Sequence, residues 1–249
     1  MYRIDKTKIE KFIKQLPDRS PLLPSDLLQN ESLIYRDPTL SIHYAPLDYL
    51  NRLARIAVIG ITPGWQQMEI AYRVLRDGLK AGKRMGELEL DAKTAASFAG
   101  PMRKNLVSML DGLKLQEPLN LGSTTAVLFQ EEHALLQTTS VVRYPTFCGD
   151  KCENYTGHRP KLLNHPILKQ FVLEILAPEL ESIENALIVP LGKCVEKALE
   201  FLISGGHVSR DRCLLGFPHP SGLNGHRIPQ YESARAALTG QVRSFFNTT

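Results

Sequence analysis

Ile56-Ala57-Val58-Ile59-Gly60-Ile61, followed at once by Thr62-Pro63-Gly64-Trp65 and a helix-length pattern over 66–80, decides the fold class. An apolar run rich in β-branched side chains and closed by a Gly/Pro turn reads as a strand buried on both faces. The same signature recurs at Leu187-Ile188-Val189-Pro190-Leu191-Gly192. Weaker versions are TAVLF around Thr125, TTSVV around Thr139 and RCLLGF before Pro218. Helical patterns are predicted over 66–80, 101–113, 165–180, 193–203 and 228–246. Strands alternating with helices predict an α/β fold, a three-layer αβα sandwich around a mostly parallel central sheet of four or five strands. Ligands of such sheets bind beyond the carboxyl ends of the strands, which directs attention to the segments after Gly60 and after Phe217.

The 249 residues carry 43% hydrophobic and 22% charged side chains with 17 Gly and 16 Pro, which excludes disordered, collagen-like and coiled-coil classes. No apolar run reaches the roughly 18 residues of a membrane span, and the N-terminus has no secretory signal, so the expectation is a cytoplasmic protein without a membrane partner. A catalytic domain over 51–249 is expected, with residues 1–50 as an N-terminal extension packed on it. Pro17, Pro21 and Pro24 predict loops there after a first helix. Four cysteines in a reducing compartment read as thiols; a metal or iron–sulfur site at Cys148 and Cys152 is the alternative. A net charge of +4 does not by itself name a polyanionic partner. Residues 140–170 hold five Lys/Arg against two acids, and 201–249 hold five Arg against two acids, compatible with a basic face or simply with solvated charge.

Two motifs stand at predicted strand exits: Gly60-Ile61-Thr62-Pro63-Gly64-Trp65, and Pro218-His219-Pro220-Ser221-Gly222-Leu223-Asn224. Together they resemble the signature motifs of the uracil-DNA glycosylase superfamily. Phe98-Ala99-Gly100 resembles that family's base-stacking segment, and Thr139-Ser140-Val141-Val142-Arg143-Tyr144-Pro145 its base-reading strand. The run over 188–202 is similar to its strand–Gly–helix segment. The resemblance spans about residues 56–231, in the family's order.

The resemblance implies a DNA glycosylase that flips a nucleotide and hydrolyses its N-glycosidic bond without a cofactor, leaving an abasic site. His219 would donate a hydrogen bond to the base oxygen as negative charge develops; the plainer alternative is a histidine at a strand end. Thr62 would hold the water. Gly60, Ile61, Pro63, Gly64 and Trp65 would border the base, with Phe98 stacking on it; core packing is the alternative for Trp65 and Phe98. Ser221, Gly222, Asn224 and Arg227 would contact DNA phosphates, and Leu223 would fill the gap left by the extruded nucleotide. DNA is the implied partner, and the protein is expected to be a monomer.

Two departures bear on substrate. Thr62 stands where many members place Asp or Asn to activate water, and a hydroxyl does little beyond positioning it. Glu69, Asp77 and Glu87 are the nearby carboxylates in sequence. Ser140 stands where the base-reading Asn is usual, so the paired donor and acceptor of an amide are lost and the pocket is roomier. This favours a modified or damaged pyrimidine, such as a bulky modified cytosine in phage DNA removed as antiviral defence. The alternatives are a repair glycosylase for uracil or other deaminated bases, a non-catalytic DNA-binding relative, and a small-molecule hydrolase or transferase on a similar sheet.

Overall fold

The computed structural model describes residues 4–130, 133–149 and 152–248. The chain opens with α1 (Lys6–Lys14), capped by the Asp5 carboxylate, and the short α2 (Pro24–Leu27), then the strands β1 (Leu33–Arg36) and β2 (Leu40–His43). β3 (Ile56–Gly60) leads through the first motif into α3 (Trp65–Lys80), followed by α4 (Met85–Ala96) and α5 (Pro101–Gly112). Next come β4 (Leu136–Ser140), β5 (Thr146–Cys148) and β6 (Glu153–Asn154). α6 (Pro166–Phe171) and α7 (Ala177–Glu181) flank a π-helical turn, and β7 (Leu187–Pro190), α8 (Lys193–Ser204) and α9 (Arg227–Thr248) complete the chain.

β3 is the centre of a parallel sheet of order β4-β3-β7. Ile56 pairs with Leu136 on one side and Leu187 on the other, and the register runs on to Gly60 opposite Ser140. Its side chains divide between two cores. Ala57 and Ile59 pack with Met68, Tyr72 and Leu75 of α3 and Val195 and Leu199 of α8, whereas Ile56 and Val58 pack with Leu106 and Leu110 of α5 and Leu238 and Val242 of α9. This two-sided burial explains the unbroken apolar run, since neither face of a sheet covered by helices meets water. Each of these fully buried Ile or Val side chains stabilises the fold by roughly 1.5–3 kcal/mol.

The expected single sheet of four or five strands is therefore met only in its parallel part. A second, antiparallel sheet of order β1-β2-β5-β6 stands apart from it, with β1 and β2 supplied by the N-terminal fifty residues. In the same N-terminal segment, Ile9, Phe12 and Ile13 of α1 enter the core beside Tyr72, whose ring stands 5.8 Å from that of Phe12. RCLLGF pairs with β7 only through a bridge between Ile188 and Cys213. The Leu215 N–H then turns back to the Cys213 carbonyl at 2.8 Å, and Gly216 takes a φ of +91°, which ends the ladder. TAVLF is a 3-10 helix, not a strand, because Asp111 of α5 captures the Thr125 N–H and hydroxyl at 2.6 and 2.8 Å and Thr124 caps the turn. α4 carries no strong apolar pattern; it buries a thin stripe of Leu88, Ala92 and Ala96.

Candidate active site

At the carboxyl ends of β3 and β7, a cleft of about 670 Å³ is bordered by Gly60, Ile61, Thr62, Phe98, Asn154, Gly192, His219, Ser221 and Leu223, among others. Residues from the two motifs thus share one cleft, because the 213–217 segment, bridged in parallel to β7 at Ile188 and Cys213, leads the second motif out at the same edge of the sheet as β3 leads out the first.

Phe98 is positioned by the end of α4. Its backbone is in the left-handed region, with φ at +51°, a conformation that needs outside support in a bulky residue. Ser97 supplies part of it: its hydroxyl bonds the Lys93 carbonyl and the Thr138 hydroxyl of β4, each at 2.6 Å. Arg103 supplies the rest by donating to the carbonyls of Thr94, Ala95 and Ser97, at the helix end where a cation is favoured. The Phe98 ring then lies against Gly60 so closely that a Cβ there would stand 3.2 Å from its Cε1 and 3.4 Å from the Ser140 hydroxyl. Behind Phe98 is a void of about 30 Å³ whose lining includes Leu47, Pro63, Lys93, Thr138, Ser140 and Arg143. Burial brings the Lys93 ammonium down to about 8 even though the Glu179 carboxylate opposes the shift. Glu179 pairs with Arg143 and accepts from Thr139 at 2.9 Å.

His219 follows from the loop after Phe217. The Ser221 N–H donates to its Nδ1 at 3.2 Å, which assigns the proton of the neutral ring to Nε2. Burial lowers its pKa below the ordinary value, so the ring is a neutral donor at pH 7. Gly192 backs it with φ at +86° and ψ at +170°, a region essentially reserved for glycine, and a Cβ there would come within 2.9 Å of the His219 Cβ. The loop is braced from behind. Asn105 donates to the Pro220 carbonyl at 2.9 Å, Asn224 to the His219 carbonyl at 3.2 Å, and Arg227 to the carbonyls of Pro220 and Ser221. The Ser221 hydroxyl oxygen accepts the Leu223 N–H at 3.1 Å, which leaves its own proton to donate outward. Leu223 is 98% exposed, an apolar side chain held out into water on the rim of the cleft.

A family model of the uracil DNA glycosylase superfamily matches residues 47–239. The chain belongs to the uracil DNA glycosylase superfamily. It is also 40% identical over 228 residues to an uncharacterized protein YoxB of Bacillus subtilis (strain 168), covering 91% of this chain and 88% of the relative.

Against the superfamily motifs, several expected residues lie off the cleft or are engaged within the fold. Trp65 packs against the hydrophobic core and does not line the cleft, since its position as the first residue of α3 turns the indole inward. Pro63 and Ser140 line the void behind Phe98. The Thr62 hydroxyl borders the cleft but donates to the Tyr144 carbonyl at 2.7 Å, which ties the first motif to the segment after β4. Asn224 and Arg227 brace the loop through the contacts above. None of the three nearby carboxylates reaches the cleft: Glu69 pairs with Arg73 and accepts the Leu22 N–H, Asp77 pairs with Arg76, and Glu87 with Arg84. Among the described residues, no Asp or Glu lines the cleft and no group of three or more His, Cys, Asp or Glu side chains is arranged to hold a metal ion.

Asn154 is the residue that sequence reasoning missed. It sits on β6 across the second sheet, and its Oδ1 accepts the Trp65 N–H at 2.9 Å while its amide packs against Gly64, where a Cβ would lie 3.2 Å from Nδ2. The glycine of the first motif thereby admits an amide from a distant strand. No local spacing could show this pairing, because the hairpin is brought over by β2 and β5.

Proposed function

We propose that this protein is a monofunctional DNA glycosylase that extrudes a nucleotide into the cleft and hydrolyses its N-glycosidic bond. The observation that carries the reading is the joint placement of an exposed apolar Leu223 and a neutral, Nε2-protonated His219 on one braced loop at the cleft. As the C1′–N bond breaks, its electron pair leaves with the base, and the His219 Nε2–H hydrogen bonds to the base oxygen on which negative charge develops. Water adds at C1′, and the proton it loses completes the neutral base. With no carboxylate lining the cleft among the described residues, stabilisation of the departing base is the main catalytic contribution in this reading. Phe98 forms one wall for the base, Leu223 fills the vacated stack, and the Ser221 hydroxyl and Gly222 meet the phosphate backbone.

The substrate we favour is a modified or damaged pyrimidine. Ser140, which lines the void behind Phe98, brings no amide that would read a uracil edge strictly, and the 670 Å³ cleft has room for a substituted base. A second reading, a DNA-binding relative without catalysis, draws on the Thr62 hydroxyl being donated to the Tyr144 carbonyl and on the lack of a carboxylate on the cleft among the described residues.

Oligonucleotides carrying uracil, hypoxanthine, hydroxymethylcytosine or glucosylated cytosine, in single and double strands, separate the two. Alkaline cleavage of the products reveals any abasic site. Excision of at least one base that disappears in His219→Ala is expected. DNA binding without excision of any of them would favour the non-catalytic reading.

A further inference from the structure

Next to the cleft lies a second cavity of about 270 Å³, bordered by His158, Lys161, Asn164, Lys193 and Lys197. It shares His158, Lys193 and Cys194 with the cleft, so the two adjoin. Its walls contain three lysines and no acid.

Among the described residues, no acid forms an ion pair with any of these three lysines. Glu196, between Lys193 and Lys197 in sequence, has its carboxylate on the Gly216 N–H at 2.7 Å. Lys193 and Lys197 are four residues apart on α8, a spacing at which like charges repel, and Lys193 begins the helix, the end that disfavours a cation. All three lysines are exposed, so this repulsion is small in the protein alone, and an anion entering between them would relieve it. The cavity far exceeds the about 15 Å³ that a single water needs.

We propose that this chamber binds a backbone phosphate of the DNA strand whose nucleotide occupies the cleft, one or more nucleotides away from the phosphate held at Ser221. Lys161 and Lys197 border only the chamber, and Lys193 stands at its junction with the cleft. The chamber thereby fixes the direction in which the strand leaves the active site. The proposal deepens the glycosylase reading and rests on it for the identity of the strand as DNA.

The test measures binding alone. The full-length protein is titrated against a duplex carrying an uncleavable abasic-site analogue, by fluorescence anisotropy at several salt concentrations. The double variant Lys161→Gln/Lys197→Gln should reduce the magnitude of the slope of log affinity against log salt by about one, at roughly 0.9 per phosphate contact. Lys161→Arg/Lys197→Arg should restore the slope, and Lys11→Gln on α1 should leave it at the wild-type value. An unchanged slope in the Gln variant, with normal wild-type affinity, overturns the chamber as a phosphate site and leaves the glycosylase reading standing. No affinity of the wild-type protein for any DNA at low salt overturns both.

Discussion

Leu223→Ala separates the function of the 219–224 loop from its folding. A side chain that is 98% exposed contributes almost nothing to the folded state, so the substitution should change unfolding free energy by no more than about 0.5 kcal/mol. On DNA the same side chain would be buried in the gap left by the extruded nucleotide. Removing three carbons at about 0.8 kcal/mol each withdraws about 2.4 kcal/mol from the extruded complex, close to a 50-fold effect. The assay is a single-turnover excision measurement on the best oligonucleotide from the base panel, with enzyme below saturation, paired with thermal denaturation of both proteins. Excision should fall by about one to two orders of magnitude, with the melting temperature unchanged and the salt dependence of binding preserved, because no phosphate contact is lost. An unchanged excision rate would show that Leu223 does not enter the stack. A large loss of thermal stability would show that the leucine is instead packed in solution.

His219→Ala should lower single-turnover excision by roughly 10²–10³-fold while leaving the fold intact, as for loss of one preorganised donor, and equal rates in the two proteins would remove the imidazole from the chemistry. Because burial depresses the pKa of His219, the neutral ring persists below the ordinary histidine range; excision should hold as pH falls toward 6.5, and a loss already above 6.5 that is absent in His219→Ala would contradict the depressed pKa. The same shift makes the unfolded chain take up its proton first, so this histidine's contribution to stability is present above about 6.5 and declines as pH falls toward the folded-state pKa, measurable as a shallower pH dependence of unfolding in His219→Ala. Gly192→Ala should cost about 1–3 kcal/mol in chemical denaturation through its backbone angles and displace His219 as well, so excision should fall beyond what the stability loss explains. Asn154→Ala removes the acceptor of the Trp65 N–H and should lower excision with a stability loss of about 1 kcal/mol, whereas wild-type kinetics would make Asn154 a bystander.

The fold centre was legible from the chain alone because β3 and β7 are buried on both faces, a condition that local composition records directly. The helices α3, α5, α8 and α9 were legible for a related reason, since most of them turn one apolar stripe inward. Both motif loops were readable too, as their Gly, Pro, His and Ser residues are demanded by backbone turns and by hydrogen bonding within a few positions. What was not legible depends on contacts between distant segments. The antiparallel sheet needs β1 and β2 beside β5 and β6, more than a hundred residues away, and short strands carry too little periodicity to announce that pairing. TAVLF has strand composition, and Asp111 turns it into a 3-10 helix. α4 was missed because its stripe is thin, yet its end holds Phe98 at a positive φ. Whether Trp65 faced the cleft or the core, whether the Thr62 hydroxyl was available, and that Asn154 meets Gly64 were all decided by packing. Sequence fixes which groups a chain can offer; tertiary structure decides which of them keep a free donor or acceptor at the cleft, because a hydrogen bond made to a distant carbonyl leaves no trace in the local pattern.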